Sequence, residues 1–359
     1  MTDTNPEMHY AAETLRDFAG ALALAAGLPE QRAQRMAEIL VEADMMGRST
    51  HGIEHLDWYL TDLVSEVMNK TGDPTVVADH GAAVTWDGHY LPGTWLVTEA
   101  MELAFARSRD HPVVTVVIRD SHHVGFHAAY LRRATMRGLV MLLLDTNPYF
   151  GAVAPYGGKQ AVFSPTPVSF GFPTAGDPVL VDFALSSTNL TATERAGRLG
   201  ERLPHAWLLD HEGNASDDPQ ALLGDPRGSI LPLGGADRGH KGYGLQFMVY
   251  ALSAALGGFG IPDSPRGYSS AVFLQLINPE AFAGLAAFNN ELAILIDACH
   301  ASPPAPGFDE VLVPGERAMA SLHAAERDGV QLFPTVLQTL TPWAERLGIA
   351  LPEPGLSAV

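Results

Sequence analysis

The sequence predicts an α/β fold, on three observations: helical apolar periodicity alternates with β-branched runs, the centre is dense in glycine and proline, and 359 residues suffice to bury a large core. Residues 10–46 carry two amphipathic helices, with Leu15, Phe18, Ala19 and Leu22 on one stripe and Met36, Ile39, Leu40 and Ala43 on the other. Gly27-Leu28-Pro29 separates them. The helical spacing returns over 95–107 through Leu96, Ala100, Leu103 and Ala104, and the β-branched run 112–118 reads as a buried strand. A helix over 128–137, closed by Gly138, leads into a strand over 139–145. Within and beyond the Gly/Pro-rich stretch 151–178, residues 168–172 and 179–185 read as strands, and the loops between them are candidates for lining a site. Residues 242–256 predict a helix stopped by Gly257-Gly258, and 272–277 a late strand. The proline-rich stretch 302–308 is a loop, followed by helices over 317–328 and 335–347. The expected organisation is a helical segment with the first part of the core over 1–110, a core with the site cleft over 111–300, and a C-terminal helical segment over 301–359.

Composition narrows the function. With 47% hydrophobic and 18% charged residues the chain is globular rather than disordered. Its 41 acidic against 22 basic residues give a net charge of −19, which repels phosphate backbones and anionic lipid, so no nucleic acid and no membrane is expected as partner. Apolar stretches such as 139–144 fall far short of the roughly 20 residues of a bilayer-spanning helix. The polar start, 1–9, does not read as a signal peptide, and the single cysteine, Cys299, permits no intrachain disulfide. A cytoplasmic location is the expectation.

Histidine carries the clearest chemical signal, because imidazole titrates near neutral pH. One group is Arg48-Ser49-Thr50-His51-Gly52-Ile53-Glu54-His55, just past the second helix. Another is Ser121-His122-His123-Val124-Gly125-Phe126-His127, after a buried strand, where α/β proteins place ligands. Each also reads as a plain turn bearing surface histidines. The i, i+4 pairs His51/His55 and His123/His127 further admit a metal site, although Gly52 and Gly125 interrupt any helix there and no His-Glu-x-x-His occurs. A third constellation, 234–245, is a glycine-rich loop entering a helix, with Lys241 at an end suited to a phosphate. No Gly-x-Gly-x-x-Gly follows a strand and no Gly-x-x-x-x-Gly-Lys-[Ser/Thr] occurs, so a dinucleotide would not sit in an ordinary Rossmann turn. Asp182, ending a hydrophobic strand, is either a ribose acceptor or a strand terminator.

Taken in order, these segments resemble the malate/L-lactate dehydrogenase family of non-Rossmann type, which includes sulfolactate and ureidoglycolate dehydrogenases and Δ1-piperideine-2-carboxylate reductases. The resemblance runs from the first helix to Arg317. It rests on Thr50-His51-Gly52, Ser121-His122-His123-Val124-Gly125, Thr146-Asn147-Pro148, Ala154-Pro155-Tyr156-Gly157-Gly158, Asp182-Phe183-Ala184-Leu185-Ser186, Leu231-Pro232-Leu233-Gly234-Gly235 and His240-Lys241-Gly242-Tyr243-Gly244-Leu245. It implies a homodimeric NAD(P)-dependent oxidoreductase acting on a small 2-oxo or 2-hydroxy acid or a cyclic imine. The implied fold is a mixed-sheet cofactor domain flanked by helices from both chain ends. By the same resemblance, His123 matches the acid/base residue, His51 a second active-site histidine held by Thr50, and Arg48, His55, Thr146 and Thr166 the substrate positions. His122, Gly125, Asp182, Phe183, Ala184, Ser186, Lys241, Gly242, Gly315 and Arg317 match positions that bind NAD or NADP.

Departures bear on the substrate. Many members carry an arginine where this chain has His55, and arginine suits a bidentate grip on a carboxylate. Either another cation such as Arg48 takes the carboxylate, or the substrate lacks one. The family's Gly-Thr-Asn-Pro appears as Ser164-Pro165-Thr166-Pro167, and Ala192 stands where some reductases carry a relay aspartate. Two alternatives remain at this point: a histidine-rich metal-dependent hydrolase using His51, His55, His123 and His127, and a catalytically silent homologue that binds a metabolite.

Overall fold

A computed structural model describes residues 8–260 and 268–355, so the polar start of the chain up to residue 7 lies outside the described residues. Seven strands form one sheet in the spatial order Thr75–Asp79, Ala83–Asp87, Val113–Ser121, Ser270–Ile277, Val140–Thr146, Pro167–Phe172 and Val179–Ala184. Ala83–Asp87 runs parallel to Val113–Ser121, and the other neighbours in this sheet are antiparallel. A Rossmann sheet is built from parallel strands joined by crossover helices. The mixed, non-Rossmann α/β fold expected from the resemblance is therefore present.

Successive side chains of a strand point to opposite faces, and this sheet is covered on both. Val116, Ile118, Leu143, Val272 and Leu274 point into the large core beneath Ala12–Ala25, Glu30–Met45, Gly93–Arg107 and His127–Thr135. Their neighbours Val117, Leu144 and Phe273 face a smaller core closed by Val249 of the helix His240–Tyr250. The chain ends meet: His9–Tyr10 pairs with Val330–Gln331, and helices Glu316–Asp328 and Val336–Leu347 pack on Glu30–Met45 and Ala12–Ala25. A three-stranded sheet of Leu208–Leu209, Ala215–Ser216 and Ser229–Ile230 has its own core around Val153, Leu208, Leu222 and Ile230, which Leu190 and Ala196 of the helix Leu190–Leu199 help to close.

The strongly periodic segments fold where their spacing predicts, with ends shifted by a few residues. Strand 112–118 extends to Ser121, and helix 242–256 begins at His240 and ends in a widened turn over Ala251–Ala255. Several elements carried no clear signal. Thr75–Asp79 is an exposed edge strand without alternation. Leu285–His300 half-buries one stripe through Leu285, Phe288, Leu292 and Ile296 but is apolar on its other sides too, so the stripe does not stand out.

The topology matters because it brings the ends of five strands to one edge. Register pairs Ser121 with Ser270, Thr146 with Ala271, and Pro167 with Ala184. The segments singled out after residues 121, 146 and 182 therefore line one rim of the sheet.

Candidate active site

Two backbone close approaches build the histidine side of this rim. After the helix Glu30–Met45, two short turns, Ser49–His51 and Ile53–His55, present both imidazoles. Ile53 is fully buried, and its N–H donates to Asp44 Oδ2 at 2.8 Å. The Asp44 carboxyl lies flat against the intervening glycine: a Cβ on Gly52 would stand 2.1 Å from Asp44 Oδ1. Burial pushes that carboxyl up to about 8, with Glu54 adding and the Ile53 N–H and Arg195 opposing. On the other segment, the helix Gly93–Arg107 starts so close to the strand end that a Cβ on Gly93 would meet the His122 carbonyl oxygen at 2.2 Å.

These supports bring three imidazoles together. His51 and His123 have ring centroids 6.4 Å apart, His55 and His123 5.2 Å, and His51 and His55 5.6 Å. All three are half-buried, facing the opening. Thr50 Oγ1 lies 3.1 Å from His51 Nδ1. The Tyr59 hydroxyl lies 2.5 Å from His123 Nδ1, which leaves Nε2 for the cleft. Packing and then the neighbouring imidazoles hold His123 well below the usual histidine range; burial, His51 and His122 push His55 down to about 3. His51 is lowered as well, chiefly by burial, with Asp182 opposing. Protonating one ring beside two others is unfavourable, so the cluster is uncharged at neutral pH.

His122 takes a different place from the one expected. Its ring has no exposed surface, its Nε2 lies 3.0 Å from Asp62 Oδ2, and Trp58, Tyr59 and Tyr90 surround it. Its side chain is therefore packed inward, and only its backbone is available to the cleft. Gly125, at φ 77°, is likewise a packing position, where a Cβ would lie 3.0 Å from Ile39. Thr146 and Thr166 are buried with Ser164 in a knot of hydroxyls 3.1–3.4 Å apart, so their hydroxyls are already engaged with one another. His127 is also turned inward, its Nδ1 2.8 Å from Ser169 Oγ. Among the described residues no group of three or more His, Cys, Asp or Glu side chains is arranged to hold a metal ion, so the hydrolase alternative finds no site there.

The remaining cofactor candidates lie along one edge strand and its continuation. The Leu180 N–H donates to the Pro314 carbonyl at 3.0 Å, and a Cβ on Gly315 would stand 2.6 Å from Leu180 N, so 313–317 docks on the strand bearing Asp182, Phe183 and Ala184. That strand runs on into Leu185 and Ser187, which bond to Leu233 and Leu231, and Gly242 packs on Leu233. Asp182 already accepts Ser169 Oγ at 2.8 Å and Ala128 N at 3.1 Å, one on each oxygen. In contrast, the buried Ser186 hydroxyl has no hydrogen-bond partner among the described residues. Lys241 and Arg317 are exposed, Phe183 offers an exposed ring face, and Gly235 and Gly244 have open space where a Cβ would be.

Sequence reasoning missed several groups: Asp44, Trp58, Tyr59, Tyr268 and the Arg195–Glu54 ion pair. Trp58 and Tyr59 sit one turn after His55 on the helix Leu56–Val64, whose Leu56, Tyr59, Leu60 and Leu63 are buried at helical spacing, a signal available in the sequence. Asp44 and Arg195 carry none, being defined by contacts across the fold.

The description "Malate/L-lactate dehydrogenase" matches residues 10–341 of the sequence. The chain belongs to that family. An L-lactate dehydrogenase of Cupriavidus necator is 32% identical over 96% of this chain and 99% of its own. A malate dehydrogenase structure from Pyrococcus horikoshii superposes with a TM-score of 0.86 at 26% identity, covering 96% of each chain. A Δ1-piperideine-2-carboxylate reductase structure from Pseudomonas syringae does so with a TM-score of 0.81 at 26% identity, covering 94% of this chain and 99% of that one. This member of the malate/L-lactate dehydrogenase family is an oxidoreductase of the dehydrogenase type, working with a nicotinamide cofactor. The residues along Val179–Ala184 and its continuation fit such a group: Ser186 has a buried hydroxyl without a partner among the described residues, Lys241 and Arg317 are exposed cations without an ion-pair partner among the described residues, and Gly235 and Gly244 let backbone approach a phosphate.

Proposed function

We propose that this dehydrogenase interconverts a small 2-hydroxy acid with its 2-oxo acid, or reduces a cyclic imine, using His123 as the acid/base group. The nicotinamide ring of NAD or NADP supplies or accepts the hydride. Ser186, Phe183, Lys241, Gly242, Gly315 and Arg317 would hold the dinucleotide along the edge strand Val179–Ala184 and its continuation. His123 Nε2 gives a proton to the substrate oxygen or nitrogen in reduction and takes it back in oxidation. Tyr59 keeps the other ring nitrogen engaged throughout, fixing the ring plane. His51, held by Thr50, is the second polar contact, and the exposed Arg48 is the cation for the substrate carboxylate.

The observation that carries this reading is the 2.5 Å contact of Tyr59 on His123 Nδ1, which fixes a half-buried imidazole and leaves its Nε2 for a substrate. A silent metabolite binder would have no use for an acid/base group held in this way. Because its environment holds His123 below the ordinary range, the ring is a base at neutral pH. Oxidation should therefore be sustained there, and reduction should speed up as pH falls. His123→Ala is expected to lower turnover by roughly 10²–10⁴-fold with NADH and NADPH still bound, read by steady-state rates and nicotinamide fluorescence. Normal turnover in that variant would remove the assignment.

The enzyme is further read as a homodimer. The helix Leu285–His300 buries no residue fully in its own chain, exposes Ile294 and Leu295, and borders an apolar groove of about 630 Å³ lined by Val140, Phe172, Phe282, Phe288 and Leu295. A helix of this length is marginal alone in water, and a second copy would cover it. Sedimentation equilibrium is expected to give twice the chain mass, and to shift toward the monomer in Leu295→Asp. The lone Cys299 suits a reducing compartment, which supports the cytoplasm as its place.

A further inference from the structure

We propose that the wall formed by His55, Trp58, His123 and Tyr268 is a specificity pocket for an aryl substituent, so that the preferred substrate is a 2-oxo or 2-hydroxy acid carrying an aromatic ring rather than a second acid group. This rests on the reading of the site given above and narrows its substrate.

The four rings form one continuous surface. His55 and Trp58 have centroids 6.0 Å apart, Trp58 and His123 5.3 Å, Trp58 and Tyr268 5.1 Å, and His123 and Tyr268 6.1 Å. All four are half-buried, so each keeps part of its surface uncovered by the chain. Interplanar angles of 86° between His55 and Trp58 and 80° between Trp58 and Tyr268 present ring edges beside ring faces, the geometry in which another aromatic ring packs well.

Charge argues the same way. Arg195, whose charge helps to lower His55, is largely committed: it pairs with Glu54 and lies 3.9 Å over the Phe333 ring, with only its Nε left buried and without a partner among the described residues. A carboxylate or sulfonate pressed against this wall would lose water and gain no cation, a loss that neutral imidazoles do not offset. A cationic substituent fares no better, because Glu54 is held by Arg195. Arg48 remains for the one carboxylate next to the reacting carbon. The net charge of −19 also disfavours dianions on approach.

The test compares kcat/KM for pyruvate, oxaloacetate and phenylpyruvate on the full-length enzyme with NADH and NADPH. Phenylpyruvate is expected to exceed oxaloacetate by about ten-fold or more. In Trp58→Ala the phenylpyruvate-to-pyruvate ratio should fall about ten-fold, chiefly through KM, and Trp58→Phe should restore most of it. His55→Arg should shift the oxaloacetate-to-phenylpyruvate ratio about ten-fold upward, and this arm stands even where Trp58→Ala fails to fold. Oxaloacetate used as well as phenylpyruvate, or ratios unmoved in both Trp58→Phe-rescued and His55→Arg comparisons, would overturn the pocket while leaving the dehydrogenase reading intact. No turnover of any of the three acids with either cofactor would instead bring down the 2-oxo acid reading and the pocket with it.

Discussion

On the histidine side of the cleft, each functional group has at least one partner inside the chain: Tyr59 on His123, Asp62 on His122, Thr50 on His51, Asp44 on the Ile53 N–H, Arg195 on Glu54, although Asp44 Oδ1, His122 Nδ1 and Arg195 Nε stay buried without one among the described residues. On the dinucleotide side the partners are missing: the Ser186 hydroxyl is buried and unbonded among the described residues, and Lys241 and Arg317 stand exposed. Groups that perform proton transfer need fixed geometry before substrate arrives, whereas groups that bind a large polyanion can be completed by it. The histidine side should therefore govern turnover and the other side affinity, and each substitution below tries to make one side behave like the other.

The largest effect belongs to His123→Ala, where turnover should fall by orders of magnitude and cofactor affinity should hold. If dinucleotide binding falls with it, the division between the two sides is wrong. Lys241→Ala is the mirror image. Losing one charge-assisted contact to a phosphate should weaken NADH or NADPH binding about ten-fold, with kcat at saturating cofactor little changed, as measured by fluorescence titration beside steady-state rates. A drop in kcat at saturation would show that Lys241 acts on the reacting end instead.

This division also explains what the sequence revealed. Long periodic segments announced themselves, because the large core needs one apolar stripe from each of Ala12–Ala25, Glu30–Met45 and Gly93–Arg107. His51, His55 and His123 were visible because histidines flanked by glycine after a helix or strand are uncommon, and Gly52 proved to have a physical reason in the Asp44 carboxyl. Thr146 and Thr166 were marked only by the family resemblance, and nothing local reveals that they bond to each other and to Ser164. His122 looked equivalent to His123; a one-residue step along an extended chain turned it inward onto Asp62. Arg195 and Tyr268 were invisible because they reach the histidines from distant segments. Leu285–His300 was hidden for another reason, since Ile294 and Leu295 outside its half-buried stripe are apolar as well and blur the helical spacing.

The smallest expected effect tests whether the histidine side is held by Asp44 as described. Its carboxyl, against Gly52 and under the Ile53 N–H, is raised from an ordinary carboxylate value to about 8, chiefly by burial. A folded-state pKa above the unfolded one means that the folded protein prefers the proton. The stabilising contribution is complete below about pH 4, where both states are protonated, and declines as pH rises through about 8, where the folded form must bury a charge or lose its fold. Asp44→Asn keeps an oxygen to accept the Ile53 N–H and carries no charge at any pH. Its Tm relative to the native enzyme should therefore rise steadily between pH 5 and pH 9, by a few degrees in all, as read by calorimetry at matched ionic strength. Activity should change in the same window, because the turn that Asp44 caps carries His55 and adjoins His51. A difference in Tm that stays flat across that range would mean that the carboxyl is charged in place, with Arg195 rather than a proton balancing it.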